Sequence, residues 1–501
     1  MHKRAFGIVL SYANTILNAI LGLFLSSFLV RILGNAEYGL YQTMASFVNN
    51  LVMLEFGVGT VMTRNISMCR KEAMSHSDLL REISTIGTIT WVLSLLICLA
   101  AAIFYISVET MYCSVLTLKQ INYGKNIFLI LAAHLVLSFV GQTLNGYILG
   151  CEDYTFSNFL TLIRTILRTI LIVCIVYRWK LSIVIALVDF AITATALVIT
   201  YGYARKKHGF KYRWSMFDWK IFRSIYPICF AIFLQGIVNQ ANTNVDKFVI
   251  GMAIGPESVT LYSIALYIFS LFSTSTTIPI SMYLPGVAKQ IQSGISGKDL
   301  LVYLVQPCRL VVLVGGTILF GFFVLGQDFI TLFYGQDMCQ AWTIAIIIMV
   351  PMYVNMANGI LVNVLDVYNK RLIRSYVLLG TTVLNIILTV WWITERGMIG
   401  AAIATAIATT LGQVVIMNYY YYRFLGIDIF FMFKETFKGI GLCLILATAC
   451  SFGVVYFVKN SVIALVCGGL AFVITEVILL FLFGLNHSEK AFILGAIKKK
   501  R

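Results

Sequence analysis

Two arginines, Arg164 and Arg168, stand one helical turn apart in the middle of a long apolar segment, residues 155–177. An arginine at the centre of a membrane costs at least about 2.5–3.5 kcal/mol on insertion scales, so it rarely faces lipid. A pair on one helix face therefore predicts a water-filled cavity in which guanidinium groups attract an anion through charge-assisted hydrogen bonds. The alternative is pairing with Asp189 in the next apolar segment, and the sequence leaves both interpretations open.

Polar side chains form stripes on three apolar segments: the first segment of each predicted half of the chain, and the fourth. Residues four apart share one face of a helix, so each stripe lines one side. We predict that the amides hydrogen-bond hydroxyl groups of a ligand. The alternative is polar contact between helices, worth on average about 0.6 kcal/mol each. The amides of the first two stripes are Asn14, Asn18, Gln235, Asn239 and Asn242, and the third stripe is His134, Ser138, Gln142 and Asn145.

Ionisable side chains inside the apolar segments are candidates for binding a coupling ion, because such residues form proton relays in membrane proteins. Three are carboxylates; for the fourth, a histidine, a satisfied packing role is the favoured alternative. The candidates are Glu55, Asp189, Asp246 and His134. The eleven cysteines are scattered and form no CxxC pair or metal-ligand cluster, so the sequence predicts no metal site.

Basic residues at the ends of apolar segments have two interpretations. Arg31, Arg64 and Lys247 are either gating or lobe-interface residues, or they anchor helix ends at the membrane surface and form salt bridges there. No strand precedes the glycine pairs and no Walker motif is present, so the sequence predicts neither a nucleotide-binding loop nor ATP hydrolysis as a driving force.

The composition is that of a membrane protein. Of 501 residues, 60% are hydrophobic and only 12% are charged, and the mean hydropathy is +0.90. A soluble domain carries about 25% charged residues. The basic residues behind the net charge of +16 lie mostly in short loops. The sequence shows no basic face with interleaved aromatic residues, so the charge does not indicate nucleic-acid binding.

Apolar segments long enough to cross a membrane recur along the whole chain. A spanning helix needs about 20 mostly apolar residues. The predicted fold is therefore an all-α polytopic membrane protein of about fourteen transmembrane helices. The spans are 7–30, 38–62, 84–107, 127–150, 155–177, 181–203, 224–246, 259–283, 303–325, 341–365, 373–394, 398–422, 436–458 and 461–484.

The distribution of Lys and Arg predicts the orientation. With the N-terminus inside, 27 of the 37 basic residues lie at inner loops or helix edges and 8 lie outside. Inner loops of membrane proteins are enriched in Lys and Arg, so both termini are expected to be cytoplasmic. The connections between spans are too short to hold a folded catalytic module.

Internal similarity indicates two halves in the same orientation. The segments around Glu37 and Glu257 share a glycine and a Leu-Tyr pair at a lag of 221 residues, and Asn145-Gly146 matches Asn358-Gly359 at a lag of 213. Repeated helix bundles are common in transporters. We predict a six-helix lobe at 1–207, a second at 208–435, and two additional helices with a basic tail at 436–501.

Six sets of residues form recognisable motifs: Leu29–Gly34, Glu37–Tyr41, Leu54–Gly59 with Arg64, Asp246–Gly251, Leu384–Leu388, and Gly397 with Gly400–Thr405. These motifs resemble those of bacterial polysaccharide flippases, the lipid-linked oligosaccharide (O-antigen type) translocases of the multidrug/oligosaccharidyl-lipid/polysaccharide exporter superfamily. The resemblance covers most of the chain and includes the number of spans. Its departure is Glu55, where many relatives carry aspartate.

The resemblance implies two lobes around a central cavity that opens alternately to each side of a bacterial cytoplasmic (inner) membrane. It implies a substrate of undecaprenyl-pyrophosphate-linked sugar repeat units moved from the inner to the outer leaflet, for which Arg164 and Arg168 would attract the pyrophosphate. It implies coupling to a proton, a sodium ion or the membrane potential, with no cofactor. The expected partners are the lipid-linked substrate and membrane lipids, with polysaccharide polymerase and glycosyltransferases as further candidates.

Three other functions are compatible with parts of this pattern. A multidrug cation antiporter of the same superfamily would favour a cavity dominated by carboxylates, whereas here two arginines stand mid-span. A peptidoglycan-precursor flippase would share the fold and a basic cavity. A membrane enzyme is disfavoured, because the longest outer loop, about 108–126, offers Glu109, Lys119 and Lys125 but no evident acid/base pair.

Overall fold

A computed structural model describes residues 2–71, 75–293, 295, 297–368, 371–458, 461–486 and 489–490. Within several helices, notably the start of the first and parts of the eighth and ninth, the backbone is described but some side chains are not. All regular secondary structure in these residues is helical, so the predicted all-α class is confirmed. The helices form two compact units, Met1–Thr260 and Leu261–Arg501.

Unit 1 is built from eight long helices joined by short connections. Helices α5 and α7 pack along each other, α6 packs on α1 and α7, and α8 packs on α2 and α4. The helices are α1 (His2–Leu33), α2 (Asn35–Leu51), α3 (Val58–Lys71), α4 (His76–Tyr112), α5 (Leu118–Gly150), α6 (Tyr154–Trp179), α7 (Ile183–His208) and α8 (Trp219–Ala253).

Unit 2 contains the remaining helices, with α10 as its central element. Helices α11, α15, α16 and α17 all pack on α10. Two π-helical segments, Thr410–Ile416 and Leu480–Gly484, follow α13 and α17. The helices are α9 (Pro256–Gln292), which begins in unit 1, α10 (Gly297–Tyr334), α11 (Gln340–Ala357), α12 (Ile360–Val367), α13 (Arg371–Thr409), α14 (Met417–Leu425), α15 (Ile429–Phe437), α16 (Ile440–Phe457) and α17 (Ser461–Leu479).

Eleven helical stretches among the described residues are long and apolar enough to cross a membrane. The count is lower than the predicted fourteen partly because α1 contributes only the shorter stretch Leu17–Leu33, and α8, whose side chains are incompletely described, is not among the eleven. One stretch, Ile373–Leu425, is 53 residues long and holds two of the predicted spans. The polytopic membrane fold is thus confirmed.

Helix α13 is a hairpin of two antiparallel helices. Its backbone leaves the helical conformation at Gly397, with φ 59° and ψ −142°. Two close contacts join residues before Gly397 to residues after it: Thr381 packs against Gly412, and the carbonyl of Trp392 packs against Gly400. These close approaches pair residues symmetrically about the turn, as antiparallel neighbours require. The predicted boundary between spans 373–394 and 398–422 is therefore confirmed.

The predicted span 38–62 is interrupted in the structure. Helix α2 ends at Leu51, a 3-10 turn covers Val52–Glu55, and Phe56 and Gly57 both have positive φ, 51° and 63°. Glycine adopts this conformation without strain, whereas Phe56 does so at a cost. A non-helical backbone at membrane depth is tolerated where it is enclosed by protein or lines a cavity.

The predicted lobes 1–207 and 208–435 and the additional helices 436–501 remain a prediction. In the structure, α8 belongs to unit 1, although it is the first helix of the predicted second lobe. Helices α16 and α17 pack on each other and on α10, inside unit 2.

Candidate substrate site

Three helices of unit 1, α5, α6 and α7, hold the side chains of the candidate site. Helix α5 begins with a capping box, in which the Thr117 hydroxyl and the Gln120 side chain each accept a hydrogen bond from the other residue's backbone N–H. At the same end of the bundle, Ser182 donates to a Glu37 carboxylate oxygen from both its hydroxyl and its N–H, at 2.8 and 3.0 Å. These contacts fix α7 against α2.

The opposite end of these helices is fixed by Asp153, which caps α6. Its carboxylate accepts hydrogen bonds from the Tyr203 hydroxyl and the Lys207 ammonium, both at 2.7 Å, and contacts His208 Nε2 at 3.3 Å. Partial burial would raise the pKa of Asp153, but the bonds from Lys207, Tyr203 and His208 outweigh it and lower the pKa to about 2.

A polar cavity of about 110 Å³ lies between α5, α6 and α7. This volume is enough for several water molecules. Eight of the twelve lining residues are polar, and Arg164 is the one positively charged side chain among them. The lining residues are Ser138, Gly141, Gln142, Asn145, Ser157, Leu160, Thr161, Arg164, Thr193, Ala196, Leu197 and Thr200.

The two predicted arginines have different environments. Arg164 lines the cavity and donates from Nη2 to the Thr193 hydroxyl at 2.7 Å. Arg168 forms a two-pronged ion pair with Asp189, from Nε to Oδ1 at 2.5 Å and from Nη2 to Oδ2 at 2.9 Å. The sequence left two interpretations open for these arginines. The position of Arg164 agrees with the cavity interpretation, and the contacts of Arg168 agree with pairing to Asp189.

The charges around this cavity do not cancel within the arginine–aspartate group. Asp189 and Arg168 both lie within electrostatic range of Arg164, so two guanidinium groups face one carboxylate. His134 is within range of the same three residues. The described contact of Arg164 is to a neutral hydroxyl, so its charge remains available to an anion entering the cavity.

Glu55 lies at the interruption between α2 and α3 and reaches the cavity wall. Its carboxylate accepts a hydrogen bond from Gln142 Nε2 at 3.2 Å. The glycine motif around it permits close helix approach: a side chain on Gly59 would meet the backbone of Gln142, and one on Gly146 would meet the carbonyl of Gly59. The interruption therefore places the predicted acidic residue beside the polar stripe of α5.

The amides of α1 contact α6. Asn14 is buried and donates from Nδ2 to the Asn158 carbonyl at 2.9 Å. Asn18 accepts from the Thr165 hydroxyl at 3.2 Å. These described contacts connect two helices, and the predicted bonding of the amides to ligand hydroxyls stays a prediction.

The other predicted residues occupy scattered positions. The side chains of Gln235, Asn239 and Asn242 lie outside the described residues. Asp246 is buried near the end of α8 and Lys247 is half-buried beside it. Arg31 and Arg64 are exposed, in the last turn of α1 and in α3.

The polar faces of α6 and α7 were missed in the sequence. Ser157, Thr161 and Arg164 are spaced so that they share one helix face, and Thr193 and Thr200 lie across from them. The spacing was a usable signal. Serine and threonine also bond their own helix backbone, as Thr161 does to the Ser157 carbonyl at 2.8 Å, so their presence in an apolar helix is weak evidence of a cavity.

Unit 2 contains a buried arginine in α10. Arg309 is 2% exposed and uses all five of its N–H donors. The acceptors are the Glu489 carboxylate and the backbone carbonyls of Glu435, Lys438 and Gly484. In the same unit, buried Glu476 accepts from the Thr317 hydroxyl, so it packs against α10. Both residues connect α10 to the C-terminal helices.

Comparison with known proteins gives matches to one family and to several solved structures. The sequence profile described as "polysaccharide biosynthesis protein" matches residues 6–289. The lipid II flippase MurJ, in an inward closed conformation, is 17% identical, with a TM-score of 0.69 over 94% of this chain and 98% of that one. An inward-facing multidrug resistance MATE transporter is 12% identical, with a TM-score of 0.63 over 83% and 98%. No curated protein sequence matches the chain.

At sequence identities of 17% and 12%, the similarity to these two solved structures shows the fold alone. Both solved proteins are covered over almost their whole length, so the similarity extends beyond a single helix bundle. The family match covers more than half of the chain and includes all of the helices that line the polar cavity.

Proposed function

The chain belongs to the polysaccharide biosynthesis protein family, and from that premise we propose that it translocates lipid-linked oligosaccharides across a membrane. The resemblance predicted from the sequence is confirmed at the level of family and fold. The proposed substrate is an undecaprenyl-pyrophosphate-linked repeat unit, moved from the inner to the outer leaflet of the bacterial cytoplasmic membrane by alternating access. The proposed orientation has both termini in the cytoplasm.

The observation that carries this proposal is Arg164 in the polar cavity. A pyrophosphate bears charges that must be compensated before the headgroup leaves water. A guanidinium held by one neutral hydroxyl can give its remaining donors to phosphate oxygens, a geometry that arginine suits. The hydroxyl and amide groups around it supply further donors and acceptors for sugar hydroxyls.

Arg168 and Asp189 support the site as a positioning pair in this proposal. Their two hydrogen bonds connect α6 to α7 one turn from Arg164. The pair keeps the two cavity walls in register, so that Arg164 can reach Thr193.

Glu55 is the proposed coupling group, with a proton as the ion. Its described hydrogen bond comes from a neutral amide, Gln142, so either protonation state can be accommodated there. Protonation of Glu55 would leave the excess positive charge of the cavity unopposed and favour the anionic substrate. Deprotonation would reverse this and favour release.

Two related functions are weighed against this one. A drug-cation antiporter would need a site of net negative charge, and the described lining of this cavity holds one guanidinium, from Arg164, and no carboxylate. A peptidoglycan-precursor flippase also carries a polyprenyl pyrophosphate, and the fold similarity to the lipid II flippase favours keeping it as the second candidate. We propose no enzymatic activity, and polymerase and glycosyltransferase partners are expected from the pathway type alone.

The test is translocation by the purified protein in proteoliposomes. A fluorescent polyprenyl-pyrophosphate oligosaccharide is incorporated, and its transfer is measured by quenching from outside. Loss of a hydrogen bond to a charged group costs about 1.5–3 kcal/mol, so Arg164→Ala is expected to slow transfer by roughly tenfold to a hundredfold.

The matched control is Arg178→Ala, which removes an exposed arginine at the far end of the same helix. It should transfer at the wild-type rate. Equal rates for wild type and Arg164→Ala would remove the cavity from the mechanism. Wild-type transfer of a lipid II analogue in preference to the oligosaccharide would favour the second candidate, and export of cationic dyes alone would favour the antiporter.

A further inference from the structure

A second, apolar cavity of about 390 Å³ lies in unit 1 between α4 and the start of α8. This volume is within the range of about 300–1,000 Å³ typical of small-molecule sites. We call it the apolar groove. Its lining residues are Phe56, Thr88, Ile89, Val92, Leu93, Phe217, Trp219, Phe222, Ile225, Tyr226 and Cys229.

One wall of the apolar groove is held in place by the connection between α7 and α8. We call residues 209–218 the strap. The strap is bound to three polar residues within two turns of α4: the Arg213 N–H donates to the Ser84 hydroxyl at 3.2 Å, and the Asp218 N–H donates to the Thr85 hydroxyl at 3.0 Å. The third contact joins the Tyr212 and Thr88 hydroxyls at 3.2 Å.

A row of aromatic rings runs from the strap along α8 to the interruption between α2 and α3. Successive rings lie three or four residues apart, so they share one face of the helix. The last ring stacks on Phe56, next to Glu55. The centroid distances are 4.9 Å for Trp219–Phe222, 6.1 Å for Phe222–Tyr226, 5.9 Å for Tyr226–Phe230, 6.2 Å for Phe230–Phe233 and 4.1 Å for Phe233–Phe56.

The apolar groove is accessible and is bordered by positive charge. Val92 is 53% exposed and Trp219 is 66% exposed. The basic residues in the first half of the strap and in the first turns of α8 are also exposed: Lys211, Arg213, Lys220 and Arg223. An occupant that satisfies both features has a long apolar chain and an anionic headgroup.

From this arrangement we propose that the apolar groove binds the isoprenoid chain of the lipid-linked substrate, with its pyrophosphate beside the basic residues of the strap and of α8. This assignment rests on the proposed function and adds an entry site to it. The groove ends at Phe56, and the adjacent Glu55 is hydrogen-bonded to Gln142 in the wall of the polar cavity. The interruption between α2 and α3 thus connects the apolar groove, where the lipid enters, with the polar cavity that receives the headgroup during translocation.

Photolabelling of the full-length protein in lipid nanodiscs tests this assignment. The probe is a polyprenyl pyrophosphate with a diazirine in its chain, and labelled peptides are mapped by mass spectrometry. We expect labelling of α4 near Val92 and of α8 near Phe222. Unlabelled polyprenyl pyrophosphate should compete, and the same excess of phosphatidylglycerol should not. Equal competition by phosphatidylglycerol, or no labelling of these helices, would assign the groove to bulk lipid and overturn the proposal.

A groove-filling variant gives a second measurement. Loss of contact with two or three methylene-sized groups weakens binding by roughly tenfold or more, so Val92→Trp should lower polyprenyl pyrophosphate affinity by about that factor. Leu95→Trp is the matched control, since Leu95 is 62% exposed on the same helix and lies outside the groove. Wild-type affinity in Val92→Trp would overturn the assignment.

Failure of the groove assignment can be distinguished from failure of the proposed function. If wild-type protein transfers the lipid-linked oligosaccharide and Val92→Trp does so with unchanged affinity and rate, only the groove assignment is wrong. If wild-type protein binds the probe in the groove but transfers no oligosaccharide, the groove stands and the translocation proposal fails.

Discussion

Breaking the ion pair between Arg168 and Asp189 should reveal that these two residues, and not Arg164, form a structural unit. The perturbation is a double-mutant cycle with Arg168→Ala, Asp189→Ala and the double variant. Removing Asp189 alone leaves an arginine unpaired inside a helix bundle, which is costly. The double variant removes that charge as well, so it should be more stable than the sum of the single effects implies.

The magnitude follows from the geometry of the pair. Two charge-assisted hydrogen bonds join the side chains, and such bonds contribute about 1.5–3 kcal/mol each. The Arg168 side chain is 38% exposed, however, so solvent weakens the interaction. The two hydrogen bonds also belong to one guanidinium–carboxylate pair, so their free energies do not simply add. We therefore expect a coupling free energy of roughly 1.5–3 kcal/mol for the pair as a whole.

The assay is reversible unfolding in mixed detergent micelles, with the free energy of unfolding measured for all four proteins. The control cycle replaces Arg168→Ala with Arg164→Ala. Arg164 is within electrostatic range of Asp189, and its described hydrogen bond goes to Thr193 instead, so the control coupling should be clearly smaller. Equal coupling in both cycles, or a coupling for Arg168 and Asp189 below about 0.5 kcal/mol, would refute this reasoning.

Two further predictions concern stability. Arg309→Lys should destabilise unit 2 by about 2–4 kcal/mol, because a lysine ammonium has three donors and cannot satisfy the four acceptor groups that surround the buried guanidinium. Unfolding of the variant by denaturant measures this loss. A loss of stability below about 0.5 kcal/mol would contradict the prediction. Asp153→Asn should lower stability by about 1–2 kcal/mol at neutral pH, because the folded-state pKa of about 2 is below the usual 3.8. Since the folded pKa is depressed, this contribution is present above pH 4 and is lost as the pH falls toward 2, so the variant and wild type should converge in acid. Parallel stability curves from pH 6 to pH 2 would show that the Asp153 contacts do not depend on its charge.

The sequence was sufficient for those features that depend on local composition. Spans of about 20 apolar residues and the shortage of charge require a bilayer, whatever the packing. The turn at Gly397 was also predictable, because a glycine between two apolar segments permits a backbone conformation that other residues resist. The cost of a charge in lipid likewise predicted that the two arginines in the middle of α6 are protected from it.

Other features depended on contacts between distant segments. Arg164 and Arg168 share one helix face, so periodicity cannot tell which of them meets Asp189; the alignment of α6 with α7 decides it. The interruption at Glu55–Gly57 is not visible in the hydropathy, because the segment is predominantly apolar on both sides of it and the close approach of α5 and α8 stabilises the break.

The tertiary structure alone also revealed the strap and the buried Arg309. In the sequence, the strap resembles an ordinary loop between two spans, and Arg309 resembles a membrane anchor near a helix end. The strap is held by hydroxyl groups, and Arg309 is held by backbone carbonyls and the Glu489 carboxylate. Carbonyls and hydroxyl groups occur along the whole chain, so residue type alone does not single out these partners. Residue type and spacing therefore determined which environment this protein occupies and which side chains need protection from lipid, and packing determined what protects them.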